Sequence, residues 1–216
     1  MKLVTRKYIF NSIILSVLLT IPILLLAQET TQVILKKVAH CYQSAVPFKI
    51  GFTVRLAMPD NANLSKYSGI FFLGSDNQFR VSQTEEEIVY DGQWLWTYDK
   101  VNRQVIVEEF NPRSSLKLIW DILSGSFDGY QISKSEYQNG LLAVIELKPS
   151  SKDGYIRSLQ MKIDRERGRI VSAEYRDFQD NLVNIELDTL IALGRADTGL
   201  FKINLNEGDE LIDLRP

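Results

Sequence analysis

Between Phe48 and Leu56 every second residue is apolar: Phe48, Ile50, Phe52, Val54 and Leu56 alternate with Lys49, Gly51, Thr53 and Arg55. Successive strand side chains point to opposite faces, so the pattern predicts a long strand with one buried face. Similar patterns predict strands over Lys66–Leu73, at Phe79 and Val81 against Arg80 and Ser82, and over Gln104–Glu109. Further strands are expected at Tyr130–Tyr137, Leu141–Lys148, Tyr155–Asp164, Arg169–Asp177 and Leu182–Leu193, with a short last one at Leu200–Asn204. Turn signals at Pro59–Asn63, Gly74–Asn77, Asp99–Arg103, Asn139-Gly140, Arg165–Gly168 and Asp180-Asn181 space these runs like an antiparallel meander.

Two stretches change to the helical period. Thr31–Ser44 places Ile34, Val38, Cys41 and Tyr42 on one stripe, with Thr30 or Thr31 as cap and Pro47 as terminator. Asn111–Ser126 carries a stripe of Leu116, Ile119, Trp120 and Leu123, widened by Leu118 and Ile122; Pro112 can start it and Ser124-Gly125 can stop it. A helix resting on a sheet needs a narrower apolar face than this one has. It is either buried on two sides or covers a greasy cavity. About ten strands and two helices predict an α+β fold, a strongly curved antiparallel sheet with helices on one side.

The segment Ile88-Val-Tyr-Asp-Gly-Gln-Trp-Leu-Trp-Thr-Tyr-Asp99 stands out. Asp91-Gly92 can supply the two positive φ angles of a tight hairpin. Beyond it Trp94, Trp96 and Tyr98 fall at period 2 and share one face. Such a row faces the protein's own core, a ligand or a partner, and core is the commonest of the three.

The N-terminus reads as an address. Lys2, Arg6 and Lys7 precede the largely apolar Ile9–Leu26, which ends in Leu25-Leu-Ala27 before polar Gln28. That is the layout of a secretory signal peptide over residues 1–27, with cleavage expected after Ala27 and a single domain over 28–216. The apolar run has no cysteine at its end, so no lipid anchor is expected on this chain. The formal net charge is −2; the leader holds three bases and no acid, which leaves −5 on the body. A mildly acidic body has no footprint for nucleic acid or anionic headgroups. The single cysteine, Cys41, excludes an internal disulfide and reads as a small buried hydrophobe.

Catalytic chemistry is not legible. The only histidine, His40, lies mid-helix without a metal or triad pattern around it. Glu85-Glu-Glu87 and Glu108-Glu109 are strand neighbours that face opposite ways, and Asp164, Glu166, Asp177 and Asp180 sit in turns. There is no phosphate loop, nucleophile elbow or metal motif. No enzyme activity, metal or cofactor is expected.

In order along the chain, Tyr42 at a helix end, Phe48-Lys-Ile-Gly-Phe-Thr53, Gly69-Ile-Phe-Phe-Leu73, Gln78-Phe-Arg-Val81, the Ile88–Asp99 segment, Leu147-Lys-Pro149, Leu159–Ile163, Phe201-Lys-Ile-Asn204, Gly208 and Leu211-Ile-Asp213 resemble the periplasmic outer-membrane lipoprotein carrier proteins of the LolA type. Order and spacing together carry the resemblance. One departure is the turn before Phe79. In that family it commonly holds a basic residue and a proline; here it reads Gly74-Ser75-Asp76. The resemblance implies that the basic residue helps to hold a helical lid closed, so a more open cavity or a different closure is expected.

The resemblance further implies an incomplete β-barrel whose concave side is covered by helices, working in the periplasm as a monomeric, non-covalent shuttle. Its cargo would be acylated lipoproteins, loaded by an inner-membrane ATP-driven transporter and passed to an outer-membrane acceptor or membrane. Expected acyl-lining residues are Phe52, Val54, Phe71, Phe79, Trp94, Trp96, Leu116, Ile119, Trp120 and Leu123. A sensor of the same fold, detecting lipid or mislocalised lipoproteins, is the alternative.

Overall fold

The computed structural model describes residues 30–59, 61–111, 115–151, 156–195, 197 and 199–216; the side chains of residues 61–63 and 115–117 are outside that description. The expected leader at 1–27, its cut after Ala27, the helix start at Pro112 and the side chain of Leu116 therefore lie outside the described residues. From Thr31 to Pro216 the described chain folds as one unit.

Helix α1 is Thr31–Ala45. Its Ile34, Val38 and Tyr42, four residues apart, are fully buried, while Cys41 lies half-buried at the flank of the stripe. The Val46–Pro47 peptide bond is cis, and the first strand follows at once. Tyr42 meets Phe48 edge to face with ring centroids 5.7 Å apart, which ties the helix end to that strand.

The strands are β1 (Phe48–Met58), β2 (Asn61–Leu73), β3 (Phe79–Gln83), β4 (Glu86–Tyr90), β5 (Leu95–Asp99) and β6 (Gln104–Glu108). Helix α2 (Ser115–Ser124) follows, then β7 (Tyr130–Gln138), β8 (Leu142–Pro149), β9 (Ile156–Asp164), β10 (Arg169–Asp177), β11 (Leu182–Leu187), β12 (Ile191–Ala192) and β13 (Glu210–Asp213). They form one sheet in the order β13-β6-β5-β4-β3-β2-β1-β11-β10-β9-β8-β7, with β12 paired to β1. The sheet does not close on itself. Pairing is antiparallel except between β13 and β6. Two meanders meet where β1 pairs with β11, Phe52 opposite Leu187 and Val54 opposite Ile185.

Both helices share a core with one face of this sheet, the inner face. It is built from Phe48, Ile50 and Val54 of β1, Phe71 of β2, Phe79 and Val81 of β3, and the alternating residues of β8 to β11. Helix α1 reaches the β9–β10 turn, where Lys37 Nζ donates to the Arg165 carbonyl at 2.8 Å. Helix α2 ends as its sequence predicts. Gly125 has φ +69°, its N–H bonds the Ile122 carbonyl at 3.3 Å, and the Ser126 N–H bonds that of Asp121 at 2.9 Å. This satisfies the last helical carbonyls through a left-handed residue. A Cβ at Gly125 would also stand 2.5 Å from the Cα of Ala39, so glycine lets α1 and α2 approach.

Four expectations are corrected. The turn expected over Pro59–Asn63 is shorter: Pro59 turns, β2 already begins at Asn61, and Met58 pairs with it after a register shift. The run Leu182–Leu193 is broken: pairing with β1 ends at Phe52–Leu187, and Ile191–Ala192 re-pairs with Phe48 and Lys49. Leu200–Asn204 is not a strand: Phe201 is buried against the bare backbone of Gly74, and the last strand is Glu210–Asp213 instead. The β4–β5 connection is not a two-residue hairpin with two positive φ values. Only Gly92 is left-handed, at +100°, and the Asp91 carboxylate closes a longer loop by accepting the N–H groups of Gln93 and Trp94, both at 2.8 Å. Asn139-Gly140 does adopt the double left-handed form, at +50° and +70°.

The outer face carries a second apolar cluster. Val89, Val105 and Val107 are fully buried there, although they point away from the helices. The C-terminal segment lies along them. The Arg80 guanidinium donates to the Leu200 carbonyl at 3.1 Å, the Tyr98 hydroxyl to Asp209 at 3.3 Å, and Arg103 bridges to Asp209 at 3.2 Å.

Candidate functional site

Between α2 and the inner face lies a cavity of about 410 Å³. Its wall is made by Phe52 and Val54 of β1, Tyr67 and Phe71 of β2, Val81 and Gln83 of β3, Glu86 and Ile88 of β4, Ile185 and Leu187 of β11, and Ile119, Ile122 and Leu123 of α2. The strands place these residues by alternation: opposed residues share a face, so both members of Val54–Ile185, Val54–Tyr67 and Val81–Ile88 point inward. The helix places its three at consecutive turns of one stripe. Eleven of the thirteen lining residues are apolar, and the volume falls within the roughly 300–1,000 Å³ of pockets that enclose small ligands. Its apolar members offer area and shape to a hydrocarbon, and directional chemistry is confined to Gln83 and Glu86.

Of the residues expected to line it, Phe52, Val54, Phe71, Ile119 and Leu123 are in the wall. Phe79 and Trp120 are not. Phe79 is 1% exposed and packs among four other rings, those of Phe71, Tyr90, Phe110 and Trp120, at centroid distances of 5.6 to 5.8 Å. That cluster fills the space beside the cavity. Trp94 and Trp96 are on the other side of the sheet. Leu95 holds the inner position of β5, so its neighbours point outward, and Trp96 stands opposite outward Val89 and Val107. The Trp96 indole N–H donates to Asp91 at 2.8 Å, and Arg215 lies over both indoles at 5.7 and 5.8 Å. The aromatic row belongs to the outer cluster.

Sequence reasoning missed Tyr67, Val81, Ile88, Ile122, Ile185 and Leu187. Val81 reads as one face of its strand and Ile122 as widening its helical stripe; the other four lie in segments that read as strands, but nothing in the chain says which face meets α2. It also missed the two polar members, Gln83 and Glu86.

The neighbours Glu86 and Glu87 differ sharply. Glu87 is buried on the outer face, where Arg80 and Lys100 bridge to it at 2.8 Å and Ser82 donates at 2.8 Å. Burial pushes its carboxyl up, but these donors together outweigh burial and hold it below its ordinary value. Glu86 points inward to the cavity, opposite Asp99. Burial, then the Asp99 charge, push its carboxyl above its ordinary value. Asp99 is itself engaged, accepting the backbone N–H groups of Asn102 and Val101 and the Asn102 side-chain amide.

A larger depression of about 790 Å³ lies over Gly51 and Gly69. Lys49, Arg167, Arg169, Asp164 and Asp188 line it with both signs of charge, which suits no hydrocarbon. Among the described residues no three His, Cys, Asp or Glu side chains are grouped to hold a metal ion.

The model of the family described as outer membrane lipoprotein carrier protein LolA matches residues 44–204. An outer-membrane lipoprotein carrier protein of Shewanella sp. (strain MR-4) is 27% identical over 154 residues, covering 68% of this chain and 71% of that one. The protein of the same name in Shewanella loihica is 24% identical over 173 residues, covering 77% and 79%. Among solved structures, an uncharacterized conserved protein from Thermus thermophilus superposes with a TM-score of 0.52 at 9% identity, covering 82% of this chain and 98% of that one. A LolA superfamily protein from Nitrosomonas europaea gives 0.48 at 15% identity, with 80% and 98% covered. A family model spanning most of the folded body, on a chain that folds as one open sheet with two helices and a greasy hollow, means that this protein belongs to the LolA family of outer membrane lipoprotein carrier proteins.

Proposed function

We propose that this chain carries the acyl chains of lipoproteins across the periplasm, from the inner membrane to an outer-membrane acceptor or membrane. The observation that carries the reading is the apolar cavity of about 410 Å³ walled by both meanders of the sheet and by α2. In this reading the sheet is a strongly curved, incomplete barrel, the helices cover its concave side, and α2 is the part that moves when cargo enters. The chain is exported as a monomer after cleavage near Ala27. Loading comes from an inner-membrane ATP-driven transporter.

The physical need is plain. Each methylene taken out of water is worth about 0.8 kcal/mol, so a sixteen-carbon chain left bare costs about 12 kcal/mol. Phe52, Val54, Phe71, Ile119 and Leu123 offset that without a covalent bond. A wall that holds a tail by area alone along most of its residues holds the cargo at intermediate strength, so the cargo passes to any site that covers more of it.

The test is purification from the periplasm of cells with an active transporter, followed by mass spectrometry. Triacylated lipoproteins near one per carrier are expected. Their absence, or recovery only of a membrane-bound signalling protein, overturns the reading and favours a sensor.

A further inference from the structure

Among the described residues the cavity wall has one charged member, Glu86, and no cation of the wall answers it. Arg80 and Lys100, the cations nearest along the strands, are taken up on the outer face by Glu87. Lys100 Nζ also donates to the Gln83 carbonyl at 2.6 Å. Gln83, Glu85, Asp99, Val101 and Asn102 share a second, more polar recess with Glu86. Asp99 accepts three hydrogen bonds within its own turn. The hollow is therefore greasy along most of its length and ends at a carboxylate that faces a second carboxylate across the strand pair.

We propose that Glu86 selects the head of the ligand: the cavity accepts acyl chains that end in an N–H donor, an amide or an ammonium, and rejects free fatty acids. The inference rests on the acyl-carrier reading and names the ligand class for the same cavity. A tail lying along Val54, Phe71, Val81 and Ile122 brings its head to Gln83 and Glu86. A carboxylate brought there would meet two like charges in a partly desolvated place, where charge interactions exceed those in water. An amide N–H or ammonium would instead donate a charge-assisted hydrogen bond to Glu86. Free fatty acids share the tail of the cargo, so a carrier without such a filter would be blocked by them.

The test uses the folded mature chain and three probes with one tail: dodecanamide, dodecylamine and dodecanoate, titrated calorimetrically below their aggregation limits at neutral pH. The amide and the amine are expected to bind at least about tenfold tighter than the carboxylate, the ratio that 1.4 kcal/mol gives. Glu86→Gln is expected to bring amine and carboxylate within about threefold of each other, since one charge-assisted bond falls to an ordinary one. Glu86→Lys is expected to invert the order, with dodecanoate the tightest. Equal affinity of the natural chain for all three probes overturns the selection and leaves the acyl cavity standing. Binding of none of them overturns the acyl-carrier reading itself. Unchanged ratios in a folded Glu86→Lys protein remove Glu86 as the selecting residue.

Discussion

Trp120 of α2 lies on Phe79 of β3, the ring centroids 5.6 Å apart and the planes inclined at 47°. Phe79 in turn stacks on Phe71, 5.8 Å away and 18° from parallel, and Phe71 lines the cavity. The helix is thus seated on the sheet through a ring that does not itself touch the hollow. Phe79→Ala is expected to lower stability by about 3–5 kcal/mol, because a buried phenyl leaves a cavity that its neighbours fill only in part. Urea unfolding followed by tryptophan fluorescence reads this directly. A change near zero would mean that α2 is not anchored through this ring.

Ile119 is half-buried on the cavity side of the same helix. Ile119→Asp is expected to cost at least about tenfold in affinity for dodecanamide, since a carboxylate in an apolar wall must be desolvated when the tail enters. Its unfolding free energy should fall by about 1–3 kcal/mol, so binding is compared at a urea-free condition where the variant is shown to be folded. Full binding by the folded variant would place the tail elsewhere.

The outer face makes the opposite prediction. Trp96 donates its indole N–H to Asp91 and lies beneath Arg215, with the sheet between it and the hollow. Trp96→Ala is expected to destabilise by about 3 kcal/mol, at the low end for deleting a large aromatic, because the ring is only half-buried. Affinity for dodecanamide should be unchanged. Lost affinity at full stability would return the aromatic row to the ligand side.

Acid should unfold the protein partly through Glu87. Its folded-state pKa lies below its ordinary value of 4.5, so the stability it contributes is fully present above about pH 4.5 and is lost as pH falls through the folded value. Glu86 has the opposite sign: its pKa is raised, so ionising it costs stability at neutral pH and that cost is relieved on acidification. Glu87→Gln should therefore be less stable than the natural chain at pH 7 by about 2 kcal/mol, and the difference should shrink below pH 4.5. Glu86→Gln should be at least as stable as the natural chain at pH 7. Unfolding midpoints in urea at pH 7, 5 and 3.5 separate the two.

Much of the architecture can be read from local pattern. Ile34, Val38 and Tyr42 mark α1, Phe48 to Leu56 mark β1, and Gly125 stops α2, because periodicity and backbone chemistry act over a few residues. What cannot be read locally is which of two apolar faces meets which layer. Trp94 and Trp96 look like a cavity wall, yet the outer face also has a cover, the C-terminal segment. That segment is held there by long-range partners, Arg80 with Leu200, Tyr98 with Asp209, and β13 with β6, none of which leaves a periodic trace. Phe79 and Phe71 are alike in sequence terms, both inward and both fully buried; only the position of Trp120 makes one a support and the other a wall.

The strand β7 ends the sheet with a nine-residue edge that is exposed along almost its whole length. It carries Gln131, Ser133, Lys134, Ser135 and Glu136, and its register slips between Ile132 and Lys134. Charges and a bulge on a free edge discourage the addition of a neighbour's strand. This border is hydrophilic and kinked, so at β7 a second copy meets no ready seam along which to zip into fibres.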